Sequence, residues 1–168
     1  MIVVGLGKAG CNIAKAFSKF PQYEIFAIDT NDDASIMIEE CSSHEEYDEK
    51  FPDLELDIKN EEVLAIIAGA GKISGGSLRL LEQLQNNKIT VLYIEGDLTI
   101  MSEIQKKQEK IVSSVLQEYA RSGVLERIIM VNNAHIERSI GDMSIIGYYD
   151  TLNQAIVNII HMTNVFRH

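Results

Sequence analysis

The 168-residue chain predicts a three-layer α/β sandwich, a single domain on a mostly parallel sheet of about five strands. Three observations predict it. Strand-length apolar runs alternate with segments of helical periodicity along the chain. Two glycine-rich stretches fall where an apolar run gives way to a helical pattern. The hydrophobic content of 46% is ordinary for a globular protein, and no apolar run reaches the ~20 residues that cross a bilayer.

The elements follow in order. Ile2–Val4 is a short β-rich run that leads into Gly5-Leu-Gly-Lys-Ala-Gly10. Ile13, Ala14, Phe17 and Phe20 then recur at helical spacing, and Pro21 lies beyond the helix end. Glu24–Ile28 is the second strand, and Asn31-Asp-Asp can cap a short helix through Ile36 and Ile38. Residues 44–62 carry nine acids against Lys50 and Lys59, which reads as a solvated loop. Val63–Ile67 is the third strand, and Leu78, Leu81 and Leu84 mark the helix behind the second glycine stretch. Ile89–Ile94 is the fourth strand. Ile104, Ile111, Val115 and Tyr119 stripe a long charged helix that Gly123 can end. Glu126–Val131 is the fifth strand, and a last helix runs from about Ser144 to Phe166 with Ile145, Tyr149, Leu152, Ile156, Ile159 and Ile160 along it.

Gly5-Leu-Gly-Lys-Ala-Gly10 matches G-x-G-x-x-G and follows a strand while opening a helix, the context in which the pattern has a mechanism. Glycine lets the backbone turn sharply and approach a phosphate closely. The amides of Ala9 to Asn12 are expected to point out of the helix start, where the macrodipole favours an anion. On this reading Gly10→Val abolishes binding without unfolding the domain. In a Rossmann-like sheet such turns lie at the carboxyl ends of the strands, where ligands bind. Asp29, 19 residues after Gly10, stands where a dinucleotide-binding fold places the acid that holds ribose hydroxyls. An NAD(P)-binding Rossmann domain is therefore one reading.

The second stretch, Gly69-Ala-Gly-Lys-Ile-Ser-Gly-Gly76, has the same placement. It is not a P-loop, because Lys72 and Ser74 precede Gly75 and are not adjacent. A dinucleotide fold does not call for a second phosphate-type loop at this point. Tyr149 and Asn153 are spaced i, i+4, so a stacking ring and a base-pairing amide share one helix face.

Taken together, these segments resemble the nucleotide-binding half of the tubulin/FtsZ family over nearly the whole chain. Gly7, Lys8, Ala9, Gly10, Cys11 and Asn12 resemble its first phosphate loop, and Phe26–Asn31 its second strand and the loop after it. Gly71, Lys72, Ile73, Ser74 and Gly75 align with the signature G-G-G-T-G. Ile129–Asn133 resembles the strand whose end supplies Asn133, and Ser144–Asn153 the start of the central helix that carries Tyr149 and Asn153. The resemblance implies a GTP- or GDP-binding domain, with Mg²⁺ a candidate companion, in which the ring stacks on guanine and the amide hydrogen-bonds it. It also implies association with itself or with a longer tubulin-like protein.

The chain departs from the family at three places. Lys72-Ile73 stand where the family has two glycines. The acidic segment 44–62 occupies the place of a glycine-bearing loop that senses the terminal phosphate. The chain stops at His168, near the middle of the central helix, ahead of the loop whose acid would activate water. The expected function is thus a binding or assembly module with weak or no hydrolysis alone, its catalytic residues unknown.

Charge and composition narrow the partners. A net charge of −10, from 25 acids and 15 bases, argues against a nucleic-acid backbone as partner. Nothing in the sequence points to a membrane, and the start lacks a secretory signal, so a cytoplasmic location is expected. His44, His135, His161 and His168 have no metal-ligand spacing with each other or with Cys11 and Cys41. Cys11 at a helix start would have its thiol pKa lowered, although a small buried residue beside the loop is the simpler reading.

Overall fold

The computed structural model describes residues 1–142 and 144–167. Its centre is a six-stranded, all-parallel sheet of order β3-β2-β1-β4-β5-β6, formed by β1 (Ile2–Leu6), β2 (Glu24–Asp29), β3 (Ile36–Met37), β4 (Glu62–Ala68), β5 (Lys88–Glu95) and β6 (Arg127–Asn132). The helices are α1 (Gly7–Ala16), α2 (His44–Lys50), α3 (Ser77–Gln83), α4 (Glu103–Arg121), α5 (Asn133–Ile140) and α6 (Tyr148–Arg167).

Every residue of β1 is buried, as are Val63–Ile67 of β4, because these central strands are covered on both faces. Alternation sends successive side chains to opposite layers. Val4, Leu6, Ala65, Ile67, Val91 and Tyr93 face one way, beneath Leu80, Leu81 and Leu84 of the α3 region and Val112 and Leu116 of α4. Val3, Leu64, Ile66, Leu92 and Ile94 face the other, beneath Ile13, Ala14 and Phe17 of the α1 region and Ile156, Val157 and Ile160 of α6. Lys19 bonds Gln154 and, at 2.8 Å, Asn158, while Phe20 stacks on His161 at 3.7 Å, so the end of the first helix is tied to α6.

The sheet has one strand more than expected. The predicted short helix through Ile36 and Ile38 is instead β3, paired with Ile28 and Asp29 of β2. Ile36 and Ile38 are two apart, which puts them on one face of a strand but on nearly opposite sides of a helix. Ile38 is buried while Met37 is exposed. The Ser35 hydroxyl fixes the register by accepting from the Ala27 amide at 2.6 Å.

The acidic segment is not a plain loop either. Ser43 caps α2 by accepting from the Glu46 amide at 3.1 Å, and Tyr47 and Ile58 are buried in the core. Its acids point outward from a chain held by apolar anchors. Residues 133–140, to which the sequence assigned no element, form α5. The last helix starts at Tyr148, so Ile145, expected along it, precedes it, and both Ile145 and Ile159 are exposed. Gly123 (φ +80) follows α4 as expected, and Ser102 with Gln105 closes a capping box at its start.

Candidate functional site

The sheet order reverses between β1 and β4, since β2 and β3 lie on one side of β1 and β4, β5 and β6 on the other. Such a switch point opens a crevice at the carboxyl ends of the strands. The register sets Leu6 beside Ile67, so the chain leaves β1 at Gly7 and β4 at Gly69 one strand spacing apart, roughly 5 Å. Both glycine turns therefore begin at the switch point. They also touch, for a Cβ built on Gly7 would lie 2.5 Å from the Ile73 Cγ2 methyl.

In the first turn Gly7 sits at φ +72, a conformation that favours glycine. The helix begins at Gly7, two residues earlier than expected, so the amides without helical partners are those of Gly7 to Gly10. No side chain caps them and no acid stands in the first turn, which leaves the positive end of the dipole uncompensated by the protein. Lys8, Ala9 and Asn12 are exposed, whereas Gly7, Gly10 and Cys11 are buried.

Gly10 is glycine for a packing reason. A Cβ there would lie 2.6 Å from the Ile66 carbonyl, so α1 crosses β4 at backbone contact. Cys11 points into the same interface, its thiol 3.3 Å from the Ile28 carbonyl and 3.4 Å from that of Gly5. Burial, with the nearby negative Asp29 adding to it, pushes this thiol up to about 12. Desolvation thus outweighs the helix terminus, and Cys11 is a packed, unreactive residue.

The second turn is a 3₁₀ segment, Lys72–Gly76, ahead of α3. The buried Ser74 donates its hydroxyl to the Gly71 carbonyl at 2.7 Å and to that of Gly69 at 3.2 Å. Gly75 and Gly76 leave no room for side chains because the His44 carbonyl and the Phe51 ring press on them. These two glycines seat α2 on the turn. Gly71 and Lys72 are exposed, and Ile73 is half-buried.

At the ends of β5 and β6 lies an open cavity of about 850 Å³ that brings Asn133 and Tyr149 together. Asn132 caps α5 by accepting from the Ala134 amide at 2.9 Å, which fixes Asn133 as the first helical residue. Tyr149 is 70% exposed, its ring free on one face of the cavity and edge-on to Tyr148 at 5.2 Å. Asn153 lies one turn further along α6, half-buried, and does not line this cavity.

The loop after β5, which the sequence reading passed over, lines the cavity through Gly96, Asp97 and Thr99, with Glu109 of α4 beneath. Glu109 is buried. One of its oxygens accepts from the Gly96 amide at 2.7 Å, and Oε2 finds no partner among the described residues. The signal that could have found it was an acid at a position in phase with Val112 and Leu116 on the buried stripe of α4.

Asp29, the acid of the dinucleotide reading, is buried and committed to its own turn. Its oxygens accept from the Thr30 amide at 2.8 Å and the Asn31 side-chain amide at 3.0 Å. Among the described residues no group of three or more His, Cys, Asp or Glu could hold a metal ion, and His168 lies outside them. No described helix is long and apolar enough to cross a membrane.

No family model and no curated protein matches the chain. Solved structures do. The chain is similar to TubZ of Bacillus thuringiensis serovar israelensis in GDP-form protofilaments, at a TM-score of 0.66 and 16% identity over 95% of this chain and 53% of that one. It is similar also to the empty FtsZ dimer of M. jannaschii, at a TM-score of 0.65 and 12% identity over 95% of this chain and 52% of that one. The fold is tubulin/FtsZ-like, as the resemblance implied, and the chain spans about half the length of each of these structures.

Proposed function

We propose, from a tubulin/FtsZ-like fold with two glycine turns in contact at its switch point, that this domain binds a guanine nucleotide as a binding or assembly module. The contact between the turns after β1 and β4 is the observation that carries the reading. The uncapped start of α1 lies beside the second turn, and each turn carries an exposed lysine, Lys8 and Lys72. Neither lysine has an ion-pair partner among the described residues. Backbone amides at a helix start take phosphate oxygens, and nearby ammonium groups balance their charge.

The base goes to the cavity at the ends of β5 and β6. There the Tyr149 ring offers a stacking face and Asn133 an amide able both to donate and to accept. Asn12 and Asn153, on the neighbouring helices α1 and α6, complete the candidate set. GTP or GDP is the proposed ligand, with Mg²⁺ accompanying a triphosphate. The neighbours supply a reason to expect assembly, one being in protofilaments and the other a dimer. A second copy of this chain or a longer protein of the same fold is the proposed partner.

The dinucleotide alternative has less behind it. Asp29 is buried, and both of its oxygens already accept within its own turn, which leaves little of the carboxylate open to a ribose. Calorimetric titration of the 168-residue chain with GDP and with NADH separates the two readings. Micromolar or tighter binding of GDP without a response to NADH is expected, and the reverse result sinks the proposal. Mass spectrometry of nucleotide released from purified protein checks the same point without added ligand.

A further inference from the structure

The two turns contribute different things to the crevice. The first offers backbone, since α1 starts at Gly7 without a cap and Lys8 and Ala9 lie open. The second is satisfied from within around Ser74. The Ser74 amide donates to the Gly71 carbonyl at 3.1 Å, its hydroxyl turns to the same carbonyl and to that of Gly69, and the Ser77 hydroxyl donates to the Ser74 carbonyl at 2.6 Å. What the second turn sends toward the first is a hydrocarbon side chain, Ile73. Its Cγ2 methyl covers Gly7 so closely that a Cβ there would lie 2.5 Å away, and Gly7 is buried although it opens a helix at the end of the sheet. Ile73 also packs against the core cluster beneath the turn, and a β-branched residue has few rotamers into which it could swing aside.

We propose that Ile73 is a specificity-determining residue that shortens the phosphate crevice, so that the site takes a nucleoside diphosphate in preference to a triphosphate. This rests on the guanine-nucleotide reading above. A terminal phosphoryl group is strongly hydrated, and setting it against a methyl strips water from its oxygens without supplying a donor. The diphosphate needs only the open amides around Lys8 and Ala9 and the two lysines. Discrimination then comes from an element that works against the longer ligand, not from extra grip on the shorter one.

The test is a calorimetric titration of the wild-type chain, Ile73→Gly and Ile73→Ala with GDP and with a non-hydrolysable GTP analogue, each protein first shown to be folded by its thermal melt. Wild type is expected to bind GDP at least about tenfold more tightly than the analogue. Ile73→Gly should bring the two affinities to within about threefold, by a gain in analogue affinity, with Ile73→Ala between. If Ile73→Gly does not fold, Ile73→Ala decides. Equal affinities in wild type, or a ratio unchanged in the folded variants, overturns the role of Ile73 and leaves guanine binding standing. Binding of neither nucleotide by any folded protein overturns both.

Discussion

Gly10 shows how one residue can satisfy a motif for a reason other than the motif's chemistry. The pattern G-x-G-x-x-G reads Gly10 as room for a phosphate, and a valine there as a block to binding alone. In the fold the missing side chain makes room for the Ile66 carbonyl, so α1 can lie on β4. A substitution at Gly10 therefore acts on stability first. Gly10→Ala adds a methyl into a backbone contact and is expected to cost roughly 1–3 kcal/mol, the range for overpacked interiors. Urea denaturation of the two proteins measures it, and equal midpoints would show that the helix can move off the strand freely. Lys8, exposed at the same turn and without an ion-pair partner among the described residues, is the better position for probing ligand contact. Cys11 makes a similar point. Helix-start chemistry alone would lower its thiol pKa, and burial raises it instead.

At the scale of elements, α2 supports the site without belonging to it. Its first residue presses its carbonyl on Gly75, and Phe51 just beyond it covers Gly76, so the second turn is shaped from behind. Beside its Ser43 cap, the start of the helix is braced by one half-buried carboxylate. Glu46 accepts from Lys50 at 2.5 Å, from the Ser42 hydroxyl at 2.6 Å and from the Ser42 amide at 2.7 Å. The Lys50 ammonium foremost, then Ser42, holds the Glu46 carboxyl down to about 2, below its ordinary 4.5. The sign follows from that direction. A carboxyl with a depressed folded-state pKa stabilises the fold at pH values above its unfolded pKa, and the contribution disappears as pH falls through the folded value. Glu46→Gln is accordingly expected to lower the melting temperature at pH 7, with the gap from wild type closing between pH 4.5 and about 2. Thermal melts of both proteins across that range test it. A gap that stays constant in acid would mean that the carboxylate charge plays no part.

For the whole molecule the expectation concerns turnover. Hydrolysis needs a group that orients or deprotonates water, and its loss typically costs about 10²–10⁴ in rate. Neither glycine turn carries a carboxylate, from Gly5 to Gly10 or from Ala68 to Gly76. Asp29 is bound into its own turn, and Glu109 lies buried under Gly96. Phosphate release from GTP by the 168-residue chain should therefore stay near background over a series of protein concentrations. A rate climbing steeply with concentration would show that copies complete one another's sites, and the domain would then be a GTPase.

The sequence by itself determined the layered α/β class, the places of the two glycine turns and the resemblance that named the fold. These depend on short-range signals, namely apolar runs of strand length, helical periodicity and glycines at the junctions. The central strands were legible because burial on both faces makes them uniformly apolar. Only the tertiary structure decided the rest. Asn31-Asp-Asp can cap a helix ahead of Ile36, and pairing with β2 made the segment a strand instead. The acidic segment hid α2 because its anchors, Tyr47 and Ile58, are few among many charges, and what they pack against lies far away in sequence. Ile73 read as a substituted glycine in a phosphate loop. That its methyl covers Gly7, 66 residues earlier, follows from the parallel register of β1 with β4, and no local pattern in the chain encodes a register.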